Sequence, residues 1–235
     1  MTYSLFLIFG ILPSIIWLVF YLRRDKHPEP IRMVLKIFIL GMLATVPAIL
    51  LELGMRSIVE TLPFSPQVLS ILYIFLGVAL VEELLKFGVV RWQVYSSPEF
   101  EEPIDLPLYM IIAALGFAAL ENIFILSGLG PTSLPAGIVY LSVFRFVGAT
   151  LLHALVSGLF GYFLILSLMT KRFRFLYISG GLVLATTLHG LFNFFIIEVA
   201  SPGKFLFPAI ILFALTLFVS FSLTRLQKIQ GAWRV

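Results

Sequence analysis

The chain has 235 residues, of which 60% are hydrophobic and 12% charged, with a mean hydropathy of +1.08; that leaves too few polar groups to cover a water-soluble exterior. Soluble enzyme folds are excluded, and the chain is an integral membrane protein. The net charge of +4 does not imply a nucleic-acid partner, since Lys and Arg sit beside apolar runs as membrane topology requires, and the lack of cysteine excludes thiolate nucleophiles, disulfides and cysteine metal sites.

About 20 apolar residues cross a hydrocarbon core. Seven stretches reach that length, at residues 3–22, 33–53, 68–90, 107–128, 146–168, 175–199 and 205–223. The expected fold is therefore all-α, a polytopic membrane helix bundle of about seven transmembrane helices forming a single domain over residues 1–235. The first stretch reads as a retained helix rather than a signal peptide: its apolar run is long, its positive charges follow it, and no small-residue cleavage site is evident.

Basic clusters follow span one (Arg23, Arg24, Lys26, Arg32), span five (Lys171, Arg172, Arg174) and span seven (Arg225, Lys228, Arg234). All fall on one side, while the opposite loops hold only Arg56, Arg145 and Lys204, which predicts an external N-terminus and a cytoplasmic C-terminus. The acidic loop 91–106 is then cytoplasmic. Segment 127–144 is expected to be interfacial or re-entrant, because its apolar part, 138–144, is too short to span. The two halves share no repeat of the kind many transporters show.

Ionisable groups inside hydrocarbon are costly and by default mark a functional site. Span three carries Glu82, Glu83 and Lys86, span four Glu121 and Asn122, span five His153, and span six His189 and Asn193. At 1.5 Å rise per residue, Glu82, Glu121, His153 and His189 each lie within about 5 Å of the middle of their spans. Taken singly, Glu82/Lys86 reads as a structural ion pair and each histidine as interhelical hydrogen-bond glue. Glue does not need two adjacent carboxylates, a third on the next helix and two imidazoles in one layer.

The natural chemistry of such a set is activation of water. A glutamate near a histidine can act as general base while His189 and Asn193, four apart on one face, stabilise a developing oxyanion. Alternatively Glu121, His153 and His189 ligate Zn²⁺, with Glu82 or Glu83 as base, since two His and one Glu form a known catalytic zinc set. There is no H-E-x-x-H motif. Rival readings of the same residues are a proton- or ion-coupled transporter and a non-catalytic membrane scaffold or immunity protein.

The combination of EELLK (Glu82, Glu83, Lys86), FAALE (Phe117, Glu121), His153 and HGLFN (His189, Asn193) resembles the PrsW family of bacterial intramembrane proteases and, more distantly, the CAAX prenyl endopeptidase and bacteriocin-immunity superfamily. The resemblance runs from Asp25 to Asn193. It implies peptide-bond hydrolysis of a single-pass membrane protein in the bacterial cell membrane, typically an anti-sigma factor cut first on its extracytoplasmic side. By position it implies Glu82, Glu83, Glu121 and His153 as essential residues with His189 and Asn193 in support. The chain departs from the wider superfamily at Glu121, where the second motif commonly ends in His, and at Lys86, where Arg is common one position later. A Glu at position 121 leaves both base and metal ligand open to it.

Overall fold

The computed structural model describes residues 2–25, 27–130 and 134–229, and among these every regular element is helical. The helices are α1 (Thr2–Leu22), α2 (Ile31–Val59), α3 (Pro66–Leu72), α4 (Leu80–Gln93), α5 (Asp105–Ser127), α6 (Pro135–Arg145), α7 (Leu151–Met169), α8 (Arg174–Glu198) and α9 (Gly203–Ile229). A π-helical stretch at Tyr73–Ala79 joins α3 to α4, and another at Phe146–Thr150 joins α6 to α7. Among the described residues seven helical runs are thus long and apolar enough to cross a membrane, as the apolar stretches predict, and the chain is a multi-pass membrane protein. Of the basic clusters, Lys26 and Arg234 lie outside the described residues.

One expectation is corrected. The segment before span five is not a separate re-entrant piece: Pro135–Arg145 is helical and runs through the π stretch into α7, giving one span from Pro135 to Met169. Pro135 stands at the first turn, where its missing N–H costs no hydrogen bond, and the apolar residues that follow continue the helix. Residues 131–133 of that segment lie outside the described residues.

Helix α5 occupies the centre. From Asp105 to Ala119 it is buried on every face, as its almost unbroken apolar sequence requires, and α1, α2, α4 and α7 pack around it. Lipid tails are as apolar as leucine, so helices in a membrane associate through close backbone approach and polar bonds rather than hydrophobic burial. Gly41 and Gly116 make the tightest approach: a Cβ on Gly116 would stand 2.0 Å from the Phe38 carbonyl oxygen, and one on Gly41 2.1 Å from that of Ala113. Thr45 Oγ1 donates to the Phe117 carbonyl at 3.2 Å beside this crossing. Only glycine permits α2 and α5 to meet there.

At the end of the bundle that carries the basic loops, residues 27–30 fold onto residues 99–105. His27 Nδ1 meets Glu102 Oε1 at 2.7 Å, Tyr109 donates to Glu29, and Asp105 Oδ2 accepts the amides of Glu101 and Glu102 at 2.9 and 2.7 Å. Burial pushes the Glu29 carboxyl up to about 9; the Tyr109 hydroxyl opposes the shift, and the carboxylates of Asp105 and Asp25 add to it.

Two outcomes are expected. Gly116→Val, which meets backbone rather than a movable side chain, should destabilise the bundle by about 3 kcal/mol or more, read as a lower thermal midpoint in detergent. Glu29 binds its proton more tightly folded than unfolded, so its contribution is complete below its ordinary value of 4.5 and is lost as pH rises through about 9. The wild-type midpoint should therefore fall across that window, and Glu29→Gln should flatten the dependence; an unchanged slope would contradict it.

Candidate active site

Residues 82, 83 and 86 lie on the first turns of α4, immediately beyond the π stretch. Adjacent residues on a helix diverge by about 100°, and a residue one turn on lies near both. Lys86 is in that position: its Nζ donates to Glu83 Oε1 at 2.8 Å and to Glu82 Oε2 at 3.1 Å. The lysine and both glutamates are buried, and Nζ also lies 4.6 Å from the centre of the Phe117 ring. A third bond runs from Nζ to His153 Nδ1 at 2.8 Å.

The two imidazoles come from α7 and α8 and stand edge to face, 5.1 Å between centres. Each is held by a carboxylate behind it. His153 Nε2 donates to Glu121 Oε2 at 2.9 Å, and His189 Nδ1 donates to Glu83 Oε1 at 2.9 Å; carboxylates only accept, so these assignments leave His153 Nδ1 and His189 Nε2 unprotonated, the first of them accepting from Lys86 Nζ. These two nitrogens lie 3.7 and 4.0 Å from Glu82 Oε2.

Glu83 is fully enclosed and has partners on both oxygens, since Ser157 Oγ donates to its Oε2 at 3.2 Å. Glu82 Oε1, by contrast, takes part in no hydrogen bond among the described residues. Glu121 forms the open edge, its side chain 26% exposed, and accepts from Arg145 Nη2 at 2.9 Å. Asn122 anchors the same edge: its Nδ2 donates to the Gly10 carbonyl and to Thr150 Oγ1, and its Oδ1 accepts from Arg145 Nε.

The structure therefore brings Glu82, Glu83, Glu121, His153 and His189 into one connected cluster. Asn193 is half-buried one turn along α8 from His189 and outside the hydrogen-bonded ring. The metal-ligand grouping differs from the one expected. One donor atom from each of Glu82, His153 and His189 lies within 4.8 Å of the others, whereas Glu121 stands behind His153, its accepting oxygen already shared between that imidazole and Arg145. Two residues were not singled out as site residues in the sequence. Ser157 is four residues beyond His153 and so on its helical face, a spacing that could have revealed it; Arg145 is eight residues before it, which is no α-helical repeat.

The donor set fits a divalent cation. Tetrahedral sites with bonds of about 2.0–2.2 Å are commonly made of two His and one carboxylate, with the far nitrogen of each imidazole bonded to a second carboxylate. Glu121 and Glu83 supply those second carboxylates here. Three carboxylates in the cluster face two cations, Lys86 and Arg145, an excess of one negative charge. Lys86 Nζ touches two of the three candidate donor residues and so competes with an ion for them.

Comparison with known proteins agrees with this chemistry. The family described as PrsW family intramembrane metalloprotease matches residues 29–222. The chain is similar to proteins named Protease PrsW from Geobacillus kaustophilus, at 29% identity over 84% of this chain and 82% of the relative, and from Oceanobacillus iheyensis, at 29% over 86% and 88%. Protease PrsW of Bacillus subtilis is 28% identical over 85% of this chain and 86% of its own length. No solved structure matches the chain.

Removing one member of a buried ion pair leaves the other charge uncompensated, at a cost of about 3–5 kcal/mol. Lys86→Met should lower the thermal midpoint sharply in detergent, while Lys86→Met combined with Glu82→Gln and Glu83→Gln should recover most of it. If the single and triple variants melted alike, the lysine would not be neutralising the pair.

Proposed function

The chain belongs to the PrsW family of intramembrane metalloproteases, and we propose from this that it hydrolyses a peptide bond of a single-pass membrane protein by a Glu/His-activated water. The observation that carries the reading is the convergence of Glu82 Oε2 and two unprotonated imidazole nitrogens, each imidazole backed by its own carboxylate. A structural ion pair requires no such convergence.

In this reading Glu82, His153 and His189 would hold a Zn²⁺ ion. Such an ion supplies Lewis acidity toward a carbonyl oxygen and lowers the pKa of water. The chain's own groups do the rest. Glu82 Oε1 takes the proton of the attacking water and returns it to the leaving amine nitrogen, while the water oxygen bonds to the scissile carbonyl carbon and the C–N bond breaks. Asn193, one turn along α8 from His189, supplies an amide donor to the developing oxyanion. Glu83, with both oxygens engaged, orients His189 and holds Lys86 in place. Water reaches the cluster past Glu121, its most exposed member.

Glu121 lies toward the end of α5 remote from the basic loops. With the basic loops cytoplasmic, and hence an external N-terminus and a cytoplasmic C-terminus, the cluster opens toward the extracytoplasmic half of the membrane. The family resemblance implies, as the substrate, an anti-sigma factor cut first on that side.

The test is co-expression of a tagged single-pass anti-sigma-type protein with wild type, Glu82→Gln or His153→Ala at equal membrane levels. Loss of a general base lowers cleavage by about 10²–10⁴-fold, so the wild-type product should vanish in both variants. Chelation should abolish cleavage by the purified wild type, and Zn²⁺ should restore it. Identical product from all three proteins would overturn the reading.

A further inference from the structure

We propose that Arg145 is a positioning residue of this reaction: through Glu121 it fixes the tautomer and orientation of His153. The proposal rests on the peptidase reading above for its kinetic consequence, but its structural part stands on geometry alone.

Arg145 Nη2 and His153 Nε2 both bond Glu121 Oε2 at 2.9 Å, so a single carboxylate oxygen is clamped between a guanidinium and an imidazole. Arg145 Nε is held in turn by Asn122 Oδ1, and Asn122 is tied to Gly10 of α1 and Thr150. The guanidinium is therefore held at its Nε by an amide that is itself anchored at two points. With Glu121 immobilised as the acceptor at Nε2 and Lys86 Nζ donating to Nδ1, the hydrogen of His153 resides on Nε2.

The backbone is shaped for this contact. Two turns of α-helix take about seven residues, so Arg145 and His153, eight apart, would point in different directions on a regular helix. The intervening Phe146–Thr150 is π-helical, with i→i+5 bonding that absorbs the extra residue and brings both side chains to one face. The wide turn is held from outside: Trp17 Nε1 donates to the Phe146 carbonyl at 2.9 Å, and the two rings stack at 5.2 Å. Arg145 thus sits in a sequence position that only this distortion makes useful.

The chain has three histidines, so ring ¹⁵N NMR of the histidine-labelled protein in detergent, assigned by removing one histidine at a time, reads the His153 tautomer directly. Wild type should show Nε2 protonated and Nδ1 bare; Arg145→Met should give a mixture or the opposite tautomer, and Arg145→Lys should retain the wild-type form. In cleavage of the tagged substrate, losing a partner of this kind costs about 10–100-fold, expected in kcat with little change in KM, and Arg145→Lys should restore part of it. An unchanged His153 signal in Arg145→Met overturns the proposal whatever the activity. If Arg145→Met fails to fold, Glu121→Met removes the same clamp with its acceptor, and a retained wild-type tautomer there is equally fatal. If wild type cleaves nothing while the tautomer shifts as expected, the peptidase reading falls and the positioning role of Arg145 stands.

Discussion

Inside an apolar bundle an ammonium must be hydrogen-bonded to carboxylates, and two carboxylates side by side must share a cation. Glu82 and Glu83 point about 100° apart around their helix, so one cation can reach both only from the next turn, where Lys86 stands. The remaining acceptor capacity of Glu83 then draws in His189 from α8 and Ser157 from α7. The rotational setting of α4 and the seating of α7 and α8 against it thus follow from satisfying one pair of glutamates.

Backbone packing confines that cluster. α2 and α5 meet at Gly41 and Gly116 with no room for a Cβ, and α5 is buried on all sides as far as Ala119. Glu121 and Asn122 are the next polar residues along it, beginning where full burial ends. The centre is therefore closed over Glu83 and Lys86, and among the described members of the cluster Glu121 is the most exposed.

The sequence made much of this legible because hydrocarbon is an unforgiving solvent. Charges at residues 82, 83, 86 and 121 and imidazoles at 153 and 189 have no inexpensive reason to sit in apolar helices, and the structure does bring all six together. Ser157 was within reach of the same spacing argument. What the sequence did not disclose depends on departures from regular geometry. Segment 138–144 looks too short to span and Arg145 looks like a loop charge when the apolar stretch of span five is counted from residue 146, whereas the helix from Pro135 runs through the π turn into α7. Which carboxylate joins the two imidazoles was equally hidden, since depth along a span places Glu82 and Glu121 in one layer and says nothing of azimuth.

Azimuth is where the two π stretches matter. The third span must turn one face to α2 and α8 in the half remote from the basic loops, and present Glu82, Glu83 and Lys86 to the centre in its other half. The fifth must lean on α1 through α6, then present His153 and Ser157. A uniform 3.6-residue repeat links those two settings rigidly. One wide turn between the halves uncouples them, and it occurs in both spans directly before the residues that converge. The distortion is sustained by contacts from outside the span, as Trp17 does for Phe146 and Asn122 for Thr150. Local regularity gives way where tertiary contacts set the direction of the side chains that meet at the centre.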